Sequence, residues 1–223
     1  MARYLSTVLI ATDDDRIAAE ARRFGARVYM TRSDHVSGTD RVAEVASAFE
    51  NAELVVNIQG DEPLIDPAAI DAAVLPLTEE PAIPMGTLCK QIEDPRETGD
   101  PNVVKVVTDR FGNAVYFSRS PIPFHRDAVD REGEAVTHFK HIGLYVYRRD
   151  FLLRYPDLPA GPLERAEKLE QLRALENGFR IRVVETDYES IGVDTPADLE
   201  RVRALMSAGR AAVHTETEGA RRG

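Results

Sequence analysis

Short apolar runs and helically spaced ones alternate along most of this chain. Residues 8–12 (Val8-Leu9-Ile10-Ala11-Thr12) read as a buried strand, and Asp13-Asp14-Asp15 as a helix cap with acids beside the helix N-terminus. A helix over residues 16–24 follows, stopped by Gly25, and residues 27–31 form a second short strand, so the chain opens β-α-β. Val42, Val45, Ala46 and Phe49 recur at helical spacing after Ser37-Gly38-Thr39-Asp40-Arg41, with Thr39 placed to cap. Residues 54–59 form an apolar, β-branched run that ends in Gln59-Gly60-Asp61-Glu62-Pro63, and Asp66-Pro67 caps a helix carrying Ile70, Val74 and Leu75.

The pattern then changes. After a strand over residues 86–91 and a polar surface loop over 93–102, the runs 103–107 and 114–118 flank Asp109-Arg110-Phe111-Gly112-Asn113, the mark of a β-hairpin. Pro121 and Pro123 end it, and residues 124–140 are charged and irregular, long enough for a mobile lid. In residues 141–147, His141, Gly143, Tyr145 and Tyr147 alternate with Ile142, Leu144 and Val146, as a half-buried strand requires. A helix is expected over 164–177 with Gly178 just past its end, a last strand over 181–186, and a final helix opened by Thr195-Pro196. The run of small and charged residues from 209 to 223 predicts a disordered tail after a single domain over 1–208.

A length of 223 residues and 43% hydrophobic content give a globular α/β chain with a full core and no membrane-length apolar run. A formal charge of -10 argues against non-specific nucleic-acid binding. The lone Cys89 and an N-terminus without a secretory stretch point to the cytosol.

Chemistry concentrates at Gln59, Asp61 and Glu62, because open α/β sheets bind ligands outside the carboxyl ends of their strands. Asp61 is the candidate metal carboxylate; the competing reading is a polar strand-to-helix turn. Capping explains Ser37, Gly38 and Thr39, but Arg41 opposes the helix dipole in the first turn unless something negative lies close. His141 and Tyr145 on one strand face suit a polyol and its carboxylate, whereas Glu170 and Gln171 lie off the apolar stripe of their helix, where a solvated face is the ordinary reading.

Gln59-Gly60-Asp61-Glu62-Pro63, Ser37-Gly38-Thr39-Asp40-Arg41, His141-Ile142-Gly143-Leu144-Tyr145, Lys168-Leu169-Glu170-Gln171-Leu172-Arg173 and Gly192-Val193-Asp194-Thr195-Pro196 together resemble the 3-deoxy-manno-octulosonate (Kdo) cytidylyltransferase family. The resemblance implies a nucleotide-diphospho-sugar transferase-like, mixed, mainly parallel sheet flanked by helices, with a dimerisation and sugar-binding region at about residues 100–150. It implies a cytoplasmic homodimer that uses Mg²⁺ to transfer CMP from CTP to Kdo for lipopolysaccharide biosynthesis. Asp61 and Asp194 would then hold Mg²⁺ as the catalytic pair; Arg3, Ser37, Gly38, Thr39 and Arg41 would contact the nucleotide; and Gln59, Arg119, His141, Tyr145, Glu170 and Gln171 would hold the sugar acid.

The departure from the family pattern is at the front. Ala2-Arg3-Tyr4-Leu5-Ser6-Thr7 resembles the first half of the family's phosphate loop but runs directly into the strand at Val8, without the mid-sheet strand, loop Lys and helix expected there. This predicts unpaired or collapsed strand edges and weak turnover. A sialic-acid-type cytidylyltransferase and a non-enzymatic relative remain alternative readings.

Overall fold

A computed structural model of the protein describes residues 2–126, 137–193 and 195–219. The opening unit has the expected β-α-β order, but the buried strand expected over residues 8–12 is short and mostly half-buried. β1 (Ile10–Thr12) pairs in parallel with β2 (Val28–Met30), and α1 (Asp15–Arg23) between them is capped by the Asp14 carboxylate, which accepts from the amides of Arg16 and Ile17. α2 (Gly38–Ser47) begins one residue earlier than a Thr39 cap would place it. Ser37 is the cap, in a reciprocal box with Asp40, and Thr39 is buried in the first turn.

The second sheet contains β3 (Leu54–Asn57), β4 (Met85–Gln91), β5 (Lys105–Thr108), β6 (Ala114–Ser118), β7 (Phe139–Arg148) and β8 (Ile181–Glu185), in the order β6-β5-β7-β4-β8 with β3 also on β7. The expected mainly parallel sheet is corrected here: β4 pairs in parallel with β8, but β3, β4 and β5 all run antiparallel to β7, as does β6 to β5. The reason is the length of β7, whose ten residues return through the middle of the sheet against three partners. β3 was expected as a fully buried strand, yet its three apolar residues are only half-buried, because one of its edges has no partner.

Alternation along β4 and β7 divides the core between the two sheet faces. Leu88, Ile142, Leu144 and Val146 face α3 (Pro67–Glu79), packing with Ile70, Ala73, Val74 and Leu77. Cys89, Tyr147 and Met85 face the other way, into a cluster with Phe117, α5 (Arg149–Arg154) and the 3-10 turn Tyr155–Asp157. The surface loop expected over 93–102 contains the short helix α4 (Pro95–Gly99), and the lid expected over 124–140 falls largely on residues 127–136, outside the described residues.

Two further corrections matter. The single helix expected over 164–177 is two, α6 (Pro162–Glu167) and α7 (Leu172–Glu176), separated where Lys168 adopts a left-handed φ of 55°. α8 (Pro196–Gly219) runs as helix over residues 209–219 of the stretch expected to be a disordered tail. No helix among the described residues is long and apolar enough to cross a membrane.

β1 and β3 do not pair, so the edges predicted to be left open are open. No residue of β1, α1 or β2 joins either core cluster, and Val8 and Phe24 are each 68% exposed. Few buried contacts mean a low local opening energy. Amides of Ile10–Thr12 will therefore exchange with deuterium far faster than those of Met85–Gln91; equal protection would contradict this. Gly86 sets a second expectation: a Cβ there would meet Leu77 Cδ1 at 2.7 Å and the Ala73 carbonyl at 3.3 Å, whereas one at Gly99 meets nothing. Gly86→Ala will cost about 1–3 kcal/mol in urea unfolding, and Gly99→Ala will stay within about 0.5 kcal/mol of the parent.

Candidate active site

A cavity of about 680 Å³ opens along the edge of β7 where β5 and β3 part company. β5 covers Phe139 and Lys140, β3 covers Tyr145 to Arg148, and the residues between line the opening. On its other edge β7 carries a bulge: Thr87 pairs with Tyr145 and Leu88 with Ile142, so Gly143 and Leu144 have no β4 partner. The Thr87 hydroxyl fills the gap, lying 2.7 Å from the Leu144 carbonyl and 3.1 Å from that of Ile142.

The same hydroxyl is 2.9 Å from His141 Nε2. Its one proton goes to the carbonyls, so Nε2–H donates to the Thr87 oxygen and Nδ1 is left as an acceptor. Burial pushes the His141 pKa down to about 3, which keeps the ring neutral. Burial also raises the Tyr145 phenol well above its ordinary value, so it stays a donor. The two rings lie 5.4 Å apart, and Phe117 meets His141 edge-on at 5.0 Å.

The break between α6 and α7 explains why Glu170 and Gln171 are not on a solvated face. Leaving the helix at Lys168 turns both into the cavity, and Gln171 is only 4% exposed. Glu170 is raised by burial, against the Ser37 hydroxyl that donates to its Oε1 at 2.9 Å; its carbonyl accepts from Tyr155 Oη at 2.7 Å. Arg119, just past β6, lines the same cavity. Its Nε donates to the Glu167 carbonyl at 2.8 Å, its Nη1 to the Pro101 carbonyl at 2.9 Å, and its amide to Glu167 Oε2 at 3.0 Å.

Gln59 joins these residues from the end of β3. Asp61 is exposed and does not line the cavity, and its carboxylate has no hydrogen-bond partner among the described residues. Asp194 lies outside the described residues, but the amide of its neighbour Val193 donates to the Asp61 carbonyl at 2.9 Å. Glu62 fastens the same crossing, accepting from Tyr188 Oη at 3.2 Å and from the Ser190 hydroxyl. No cluster of three or more His, Cys, Asp or Glu side chains placed to hold a metal occurs among the described residues. The uncommitted Asp61 carboxylate is nonetheless a hard oxygen donor suited to Mg²⁺ or a similar cation.

The residues assigned to the nucleotide do not line this cavity. Ser37 reaches it through Glu170, and Thr39 is buried beside Glu170 and Tyr147. Gly38 opens α2, and the Arg3 side chain is exposed while its amide donates to Asp71 at 2.7 Å. Arg41 has the negative neighbour its position demands, Asp13 at 2.9 Å, which the sequence reading left among three cap-forming aspartates. That reading also missed Glu97, Lys140 and Glu189 on the rim, where Lys140 bonds Glu97 at 2.9 Å and Glu189 at 2.7 Å. In sequence they are ordinary surface charges, and nothing marks them.

A family model described as Cytidylyltransferase matches residues 2–186. A 3-deoxy-manno-octulosonate cytidylyltransferase of Solibacter usitatus (strain Ellin6076) is 71% identical over 208 residues, covering 93% of this chain and 81% of that protein. The enzyme of the same name from Geobacter sulfurreducens is 61% identical, covering 90% of this chain and 82% of the other. Among solved structures, a CMP:2-keto-3-deoxy-manno-octonic acid synthetase complexed with CTP superimposes with a TM-score of 0.87 at 44% identity, covering 94% of this chain and 84% of that one.

Neutral His141 makes stability depend on pH. The folded ring titrates near 3, but the unfolded one near about 6.5, so the unfolded state binds more protons between those values. The contribution is complete above the unfolded value and is lost as pH falls toward the folded one. The urea midpoint of the parent will decline over this window more steeply than that of His141→Gln, and NMR will find the His141 ring uncharged from about pH 5 to 8. Parallel declines, or a charged ring at neutral pH, would sink the assignment.

Proposed function

Because this chain belongs to the cytidylyltransferase family, we propose that it transfers CMP from CTP to the anomeric hydroxyl of Kdo, releasing pyrophosphate and activating Kdo for lipopolysaccharide biosynthesis. The observation that carries the reading is the convergence of Gln59, Arg119, His141, Tyr145, Glu170 and Gln171 on one cavity. These residues come from four separate segments of the chain, and the set is what a polyhydroxylated carboxylic acid needs: one cation for the carboxylate, and amide, imidazole, phenol and carboxyl groups for the hydroxyls.

Arg119 takes the carboxylate of the sugar acid. Two of its N–H groups are held by backbone carbonyls, and since the residue lines the cavity its remaining N–H groups would meet the carboxylate. His141 Nδ1 accepts from a hydroxyl, the Tyr145 phenol donates, and the side-chain amides of Gln59 and Gln171 serve either sense. Water is displaced as the acid fills the space between them. The Ser37–Glu170 bond joins the segment assigned to the nucleotide to the sugar side, so the two substrates share one framework.

Asp61 and Asp194 would hold the divalent cation that cytidylyltransferases generally use, here Mg²⁺, which when bound polarises the α-phosphate and favours ionisation of the attacking hydroxyl. Neighbouring carboxylates Glu62, Glu97 and Glu189 discourage a second anion at the rim except where a cation offsets it. The exposed Phe111 and Val115 of the β5–β6 hairpin support a homodimer contact there. A cytoplasmic location agrees with the buried, unpaired Cys89, whose thiol burial pushes up to about 12.

The test is pyrophosphate release from CTP with Mg²⁺, with Kdo, with sialic acid and with no acceptor. Release that requires Kdo and falls about 100-fold or more in Asp61→Asn is the expected result. Release with sialic acid in place of Kdo would move the acceptor assignment. No release by a folded, CTP-binding chain would overturn the activity itself.

A further inference from the structure

Lys105 is the most unusual charge in the protein. It lies on β5, is 0% exposed, and has no carboxylate in contact. Its ammonium spends all three protons on backbone carbonyls: Asp100 at 2.9 Å, Val103 at 2.6 Å and Arg119 at 2.7 Å. Burying a cation on neutral acceptors is expensive, and an apolar side chain of the same length would fill the space at less cost.

The three carbonyls are not scattered. Asp100 and Val103 bracket the turn that contains Pro101, and the Pro101 carbonyl receives Arg119 Nη1. Lys105 therefore grips both the main chain of Arg119 and the turn on which the Arg119 guanidinium rests. From the opposite side Glu167 holds the Arg119 amide through Oε2 and accepts from the Ser118 hydroxyl through Oε1 at 2.6 Å. Arg119 is pinned at its carbonyl, its amide, Nε and Nη1, and the residue lines the cavity.

We propose that Lys105 is a positioning residue for acceptor recognition: it sets the Arg119 guanidinium against the cavity so that the planar carboxylate of a 2-keto sugar acid is matched. The proposal rests on the reading of Arg119 given above. Lys105 does not touch the acceptor, and the nucleotide-assigned residues lie on other segments, so its loss acts on one substrate.

The experiment is a kinetic comparison of Lys105→Met, Arg119→Met and the double variant with Kdo and CTP varied separately. Lys105→Met raises KM for Kdo about tenfold or more while KM for CTP moves less than about twofold. In the Arg119→Met background Lys105→Met adds nothing further, because its effect runs through the missing guanidinium. Equal penalties on both substrates, or full additivity in the double variant, would overturn the proposal, since a merely structural role gives that pattern. An unchanged KM for Kdo in Arg119→Met alone would instead overturn the reading of Arg119. If Lys105→Met is recovered unfolded, Glu167→Ala loosens Arg119 from the other side and is held to the same two outcomes.

Discussion

One buried hydroxyl holds the central strand together beside the cavity. β7 pairs with three strands; the cavity opens on the edge where β5 and β3 part, and the bulge lies on the opposite edge, against β4. The bulge at Gly143 and Leu144 removes residues from the ladder, and unpaired carbonyls in a core are costly. Thr87 covers that cost and, with the same oxygen, fixes the tautomer of His141. The device that lets the strand deform is thus also the device that prepares its most important ring for binding.

The same economy recurs around the rim. At Lys105 and Arg119 main-chain carbonyls hold the cationic groups, three for Lys105 and two for Arg119, whereas Lys140 is paired with Glu97 and Glu189. Carboxylates in turn hold main-chain amides and hydroxyls, as Glu167 does for Arg119 and Ser118 and Glu62 does for Tyr188 and Ser190. Charges committed to neutral partners keep their sign without being cancelled by a neighbour. A chain of net charge -10 can therefore still offer an anion a cationic surface within the cavity.

Much of this architecture was legible in the residues, for reasons that also mark the limit. The alternation of Ile142, Leu144 and Val146 identifies the strand and its faces, but a bulge that inserts two residues without a β4 partner preserves that alternation and leaves no trace. The stripe Ala166, Leu169, Leu172 reads as one continuous helix; Lys168 carries no sign of a left-handed conformation, and so Glu170 and Gln171 seemed bound for solvent. Arg41 was different. A cation against a helix dipole demands a partner, and the demand could be stated before Asp13 was seen to meet it. Sequence thus exposes a conflict between a residue and its local element, and conceals one that only the tertiary structure creates. Lys105, a single polar residue in Val103-Val104-Lys105-Val106-Val107, belongs to the second kind, since half-buried strands tolerate a lysine at any outward position.

The opening β-α-β unit shows what the core contributes by showing what happens beside it. α1 is well capped and β1 pairs cleanly with β2, so local preferences are satisfied. Yet Val8, Ile17 and Phe24 stay exposed, because a two-stranded sheet offers too little surface to bury them. α2 touches both sheets, and Ser37 at its start bonds Glu170 while Arg41 in its first turn bonds Asp13. The segment assigned to the nucleotide therefore also joins the opening unit, which has few buried contacts, to the Glu170 side of the cavity.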